Sequence, residues 1–228
     1  MRRLIGAPGS DRQRYGLLLL AIVLAFSVQG IATPGRWEEV LVTVLLGITL
    51  LLALWAADAK PWLVRAAALV VIAVIVTSVE QAAEGTIDGA ATRIANALLV
   101  ALAPPAVVIG VVRNLRRKQS VTVQAVFGVL CVYLLVGMFF AFVYGSIDRL
   151  GSAPFFAGGA SATVAHCLYY SFTTLTTVGY GDLTASSNLG HTLSVSEALI
   201  GQIYLVTVVS LFVGNLSQTR RPRAPESS

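Results

Sequence analysis

The chain has 228 residues, 56% of them hydrophobic and 12% charged, where an ordinary soluble domain carries about 25% charged residues. That composition excludes an ordinary soluble domain and places the chain in a bilayer. The net charge of +5 is spread in short basic clusters between apolar runs rather than on one face, which sets aside nucleic acid and favours membrane topology as its cause.

A transmembrane helix needs about 20 mostly apolar residues to cross about 30 Å of hydrocarbon. Six runs approach that length, at about 15–32, 39–57, 62–79, 94–112, 121–145 and 190–216. The basic segment 1–14 followed by Leu17 to Val28 also fits a cleaved signal peptide. The run exceeds an h-region of about 7 to 15 residues, so an uncleaved first span is expected; cleavage would leave five spans and the same C-terminal side. Thr33-Pro34-Gly35, Lys60-Pro61, Glu84-Gly85 and Asp88-Gly89 supply turn chemistry between the early runs.

Basic residues near span ends stay cytoplasmic. Arg2, Arg3, Arg12, Arg14, Lys60, Arg65, Arg113, Arg116, Arg117, Lys118, Arg220, Arg221 and Arg223 fall on one side, against Arg36, Arg93 and Arg149 on the other. Both termini are therefore expected in the cytoplasm. Trp37, Trp55 and Trp62 lie at span ends, as interfacial aromatics do. The tail 217–228 is too short for a ligand-binding domain.

Cys131 and Cys167 sit in apolar segments without paired spacing, which sets aside a disulfide framework. His166 and His191 show no ligand spacing with cysteine or carboxylate. No nucleophile and base arrangement, phosphate-cradling glycine loop or pair of catalytic carboxylates is visible, so neither an enzyme nor a resident cofactor is expected.

The chemistry lies between the fifth and sixth runs. Ser161 to Leu175 is apolar and aromatic but too short to cross the membrane, and is expected as a re-entrant helix at about 162–175. Thr176-Thr177-Val178-Gly179-Tyr180-Gly181-Asp182 follows it. Non-helical backbone at membrane depth is tolerated only where protein buries it or it lines a water-filled path.

This stretch resembles the pore loop of potassium channels, whose filter reads TVGYG. The resemblance is specific over about 120–216 and architectural before that. It implies that the carbonyls of Thr177, Val178, Gly179 and Tyr180, with the Thr177 hydroxyl, replace the water shell of a permeant potassium ion. Gly179 and Gly181 would permit the backbone angles this needs, and Thr176 and Asp182 would flank and support the filter. Tyr169 and Tyr170, where many relatives have Trp-Trp, would brace Tyr180, with a hydrogen bond expected between Asp182 and Tyr169. The short helix would aim its negative end, Leu175 to Thr177, at a central cavity. One loop per chain is a quarter of a ring, so a homotetramer in the lipid bilayer follows, with no nucleic-acid or soluble partner.

Two residues of the last run stand apart. Two-span bacterial channels carry a glycine hinge about nineteen residues past the filter aspartate, and Gly201 holds that position. Glycine inside a helix costs about 1 kcal/mol relative to alanine, so Gly201 serves either motion or close packing. Glu197 is an ionisable residue within a span, a functional candidate by default. Its alternatives are support of the filter from behind, proton sensing, or a neutral, hydrogen-bonded seat at a helix contact. Four preceding runs invite comparison with voltage-gated channels, but Ile94 to Val112 carries no charge and is interrupted by Pro104-Pro105. Arg113, Arg116 and Arg117 begin where that run ends and read as a topology anchor.

The expected architecture is an all-α integral membrane protein with six transmembrane helices. A cytoplasmic segment 1–14 leads into a four-helix domain at 15–112 without sensor arginines, and a basic linker at 113–120 leads to a pore domain at 121–216. That domain comprises an outer helix, the re-entrant helix, a filter at 176–182 and an inner helix at about 190–216. The expected setting is a bacterial inner (plasma) membrane. The rivals are an ion-coupled transporter, for which internal repeats and broken helices would be expected, and a non-conducting accessory protein that keeps the loop as scaffold.

Overall fold

The computed structural model describes residues 14–31, 36–84, 89–118 and 123–218. The segment 1–13, the turns 32–35 and 85–88, residues 119–122 and the tail 219–228 lie outside the described residues, and with them Arg2, Arg3, Arg12, Arg220, Arg221 and Arg223. The described chain forms α1 (Arg14–Ile31), α2 (Arg36–Ala56), α3 (Pro61–Glu84), α4 (Gly89–Lys118), α5 (Val123–Leu150), α6 (Val164–Leu175) and α7 (Asn188–Gln218). Among the described residues, α1, α3 and α5 are long and apolar enough to cross a membrane, and α2 and α4 contain shorter apolar stretches, Val40–Ala56 and Ile94–Gly110.

Two features of α4 differ from expectation. It runs unbroken through Pro104 and Pro105. Each proline removes an amide donor, but an apolar setting penalises opened backbone so heavily that the helix persists around them. It also continues to Lys118, so most of the segment expected as a linker is helical.

The buried residues of α1, Tyr15, Leu18, Ile22, Ala25 and Gln29, recur every three or four positions and so form one inward stripe. This helix packs on α2 and also on α5 and α6, where Phe26 meets Phe172 edge-on with ring centroids 4.9 Å apart. The N-terminal helices centre on α2, which touches α1, α3 and α4, while α4 lies along α5. The outlying member is α3: 11% of its apolar window is buried, against 50% for α5. Its Leu69, Val70, Ile72 and Val76 are exposed, an apolar outer face of the bundle.

Polar side chains pair across this bundle. Thr43 of α2 donates to Asn96 of α4 at 3.0 Å, and leaving either group alone in an apolar core would cost about 1 to 3 kcal/mol. Where α1 starts and α2 turns into α3, Arg14 pairs with Asp58 at 2.6 Å and lies 4.8 Å over the Trp55 ring.

Candidate functional site

The connection from α5 to α7 is clasped where it leaves α5 and where it enters α7. Asp148, on the last turn of α5, accepts the Phe155 amide at 2.9 Å. The chain then pairs with the segment beyond the loop: the Ala157 amide donates to Thr184 and the Ser186 amide to Phe155, both at 2.8 Å. His166 and His191, which belong to no motif, each hold a loop carbonyl, of Ser161 at 2.7 Å and of Ala185 at 2.8 Å. Phe155 and Phe156 are buried and share an aromatic cluster with Tyr144 and Tyr170, the closest centroids 4.9 Å apart. Both ends of the loop are thereby pinned, and its middle is presented at a fixed depth.

The Thr163 hydroxyl opens α6 by accepting the His166 amide at 3.1 Å, satisfying one of the free amides of a helix start. The 12 residues of α6 rise about 18 Å at 1.5 Å per residue, short of the about 30 Å of a hydrocarbon core. Cys167, Leu168, Tyr170, Ser171 and Leu175 are its buried face, and it packs on α1, α5 and α7. After Leu175 the chain turns back, but its amides stay with the helix. Thr176 donates to the Phe172 carbonyl at 3.1 Å and Thr177 to Thr174 at 2.9 Å, while Val178 and Gly179 both donate to Thr173, at 2.9 and 3.0 Å. The carbonyls of Phe172, Thr173 and Thr174, which a helix end leaves without partners, are satisfied by the returning segment.

The backbone of that strand alternates in hand. Thr177 has φ 60°, Gly179 51° and Gly181 81°, whereas Val178 and Tyr180 keep negative values. Successive amides in such an alternating backbone form a concave nest, and those of Val178 and Gly179 close here on the Thr173 carbonyl. Among the described residues the carbonyls of 176–181 accept no backbone hydrogen bond, and the whole segment is exposed. Glycine takes positive φ at 179 and 181 without a Cβ penalty. Thr177 does so as a β-branched residue, an outlier for its type, and sequence reasoning missed it because no glycine marks the place. The Thr176 hydroxyl turns back to the Phe172 carbonyl at 2.6 Å.

The two tyrosines of α6 part company. Tyr169 donates to Asp182 at 2.8 Å, and its ring stacks on Tyr180 at 6.2 Å and 7°. The bond to Asp182 raises the Tyr169 hydroxyl above the ordinary tyrosine pKa, so the proton stays with the donor. Tyr170 faces its own chain instead, its hydroxyl 2.7 Å from that of Ser194 on α7.

Contact between α7 and α6 follows one stripe, Ser194, Glu197 and Gly201, spaced as one helix face requires. Glu197 is fully buried; its Oε2 accepts the Tyr144 hydroxyl at 2.6 Å and its Oε1 meets the Ser171 hydroxyl, so one carboxyl touches both α5 and α6. At Gly201 the Leu175 carbonyl oxygen stands where a Cβ would be. Tyr133 of α5 donates to that same carbonyl at 3.3 Å. Tyr204 stacks on Tyr133 at 5.7 Å and donates to the Val129 carbonyl at 2.6 Å. Tyr133, Tyr144, Ser171 and Tyr204 went unremarked in the sequence; their one signal is a polar group on an otherwise apolar helix.

No curated protein and no solved structure matches the chain. Residues 128–218, from α5 through the loop to the end of α7, match the family model described as an ion channel, so the unit assembled around α6 is similar to the domain of that family.

Proposed function

We propose that the chain is one subunit of a potassium-selective channel, in which four copies surround an axis and the carbonyls of Thr177, Val178, Gly179 and Tyr180, with the Thr177 hydroxyl, take the place of the ion's water. The observation that carries this reading is the backbone at 177–181, positive in φ at 177, 179 and 181, with the Thr177, Val178 and Gly179 amides bonded to α6 and, among the described residues, no backbone hydrogen bond accepted by its carbonyls. Carbonyl dipoles coordinate a dehydrated monovalent cation without a fixed charge that would trap it. The C-terminal end of α6 adds the negative pole of a helix dipole at Leu175 to Thr177, which favours a cation beneath the filter. Tyr180 is 71% exposed in the single chain, and Leu199, Ile200 and Ile203 of α7 are exposed as well. Three further copies around the axis would cover these groups. The basic ends of the helices orient both termini to the cytoplasm of a bacterial inner (plasma) membrane.

Reconstitution of the full chain in lipid vesicles tests the reading. Potassium flux without matching sodium flux, from a tetramer seen by native mass spectrometry, is the expected result; equal fluxes, or none, would refute it.

Two further outcomes follow from the geometry. Each charge moved through 100 mV contributes about 2.3 kcal/mol, and the stretch Ile94 to Val112 of α4 holds none. Conductance in symmetric potassium should therefore change little with voltage, and a steep conductance–voltage curve would restore a sensor. Tyr169→Phe keeps the ring against Tyr180 but deletes the donor to Asp182. It should hasten the decline of current during sustained conduction without altering assembly; unchanged current decay would remove the bracing role.

A further inference from the structure

Glu197 sits where α5, α6 and α7 share a polar contact, and the protons there can be counted. Ser171 has one hydroxyl proton and two oxygen neighbours, the Gly137 carbonyl at 2.7 Å and Glu197 Oε1. A carbonyl only accepts, so the Gly137 contact uses the Ser171 proton. Tyr144 has one proton and gives it to Oε2 at 2.6 Å. Oε1 and the Ser171 oxygen then face each other with no proton between them unless the carboxyl supplies one. An ionised Glu197 would draw the Ser171 proton to itself and leave two acceptors apposed at Gly137. A protonated Glu197 satisfies every contact, donating to Ser171 and accepting from Tyr144.

The surroundings agree with that count. Glu197 is fully buried, and the titratable groups that face it are phenols. Tyr144 and Tyr133 come from α5. Tyr170 of α6 is turned to Ser194, and Tyr204, on α7 itself, to Val129. Among the described residues no Lys, Arg or His pairs with Glu197; the ion pair found is Arg14 with Asp58. A lone carboxylate in such a place is neutralised rather than kept charged. Ser171 lies two residues before Thr173, whose carbonyl gathers the Val178 and Gly179 amides, so the seat of Ser171 is also the seat of the filter.

We propose that Glu197 is a neutral hydrogen-bond donor and a positioning residue: its carboxyl proton seats α6 against α7 and fixes the angle at which the selectivity segment leaves the helix. The proton placement stands on the contacts alone, while its consequence for conduction rests on the channel reading above.

Full-length wild type, Glu197→Gln and Glu197→Ala are compared in lipid vesicles. The glutamine amide can donate to Ser171 and accept from Tyr144 as the neutral acid does, so this variant should assemble and keep the potassium-over-sodium flux ratio within about twofold. Alanine strands the Ser171 and Tyr144 hydroxyls, and since an unpartnered buried group costs enough to shift an equilibrium several-fold, the ratio should fall at least about fivefold. Infrared spectra at neutral pH read the proton directly: the carbonyl band of a protonated carboxyl, shifting in D2O, should be present in wild type and missing from Glu197→Gln. A carboxylate band in that difference, a glutamine variant that fails to assemble or loses selectivity, or an alanine variant with an unchanged ratio would each overturn the proposal. A wild type that passes no potassium yet shows the protonated band would remove the channel reading and leave the proton where the contacts place it.

Discussion

Gly179→Ser is expected to abolish the preference for potassium over sodium while leaving the helices and the assembly intact. Gly179 holds φ 51°, a conformation that disfavours an L residue by about 1 to 2 kcal/mol. Within the chain nothing lies within 4 Å of an added Cβ there, so the penalty inside each subunit is conformational. The chain can relieve it by rotating the adjoining peptide, which frees the amide from Thr173 and swings a carbonyl off the axis. Four subunits would share one ring, so the summed drive to rotate is about 4 to 8 kcal/mol, well above the about 1.4 kcal/mol that corresponds to a tenfold ratio. Ion fluxes in vesicles measure the loss, and circular dichroism with native mass spectrometry checks that fold and assembly persist. A folded variant that still discriminates would refute the filter assignment.

For Gly201→Ala the two readings of that glycine separate. The added methyl would land on the Leu175 carbonyl oxygen, which belongs to the last turn of α6 and is held from the other side by Tyr133. Backbone so placed cannot step aside as the tip of a flexible side chain does. The inner helix has to back away from α6, and overpacking of this kind costs about 1 to 3 kcal/mol per chain. The expected result is a tetramer with a lowered melting temperature in detergent and impaired selectivity, since Leu175 adjoins the strand it supports. An alanine variant with wild-type melting and selectivity but altered open probability would favour the hinge instead.

Helix existence was legible because hydropathy is a local property, and each apolar run coincides with a helix. The ends were less legible: α3 extends to Glu84 and α4 spans Gly89–Lys118, because polar residues stay helical where backbone bonds continue past the apolar run. The loop was legible because its glycines mark positive φ at 179 and 181. Thr177 shares that conformation without such a mark, held by neighbours that bond to α6.

The residues of the first run alone carry no sign that α1 lies on α5 and α6, with Phe26 on Phe172; an apolar helix can turn any of several faces to any neighbour. Likewise the pair Tyr169 and Tyr170 reads as one brace, but adjacent residues of a helix point about 100° apart, and the packing of α5 and α7 sends Tyr170 to Ser194 while Tyr169 reaches Asp182. The sequence by itself determined that the chain lives in a membrane and carries a filter-like loop, because composition and glycine spacing act locally. Tertiary structure alone decided what holds that loop: the carboxyl of Glu197, the bare backbone at Gly201 and the hydroxyl of Tyr133 meet α6, and the hydroxyl of Tyr144 meets Glu197, from residues far apart in the chain that only the packing of three helices brings together.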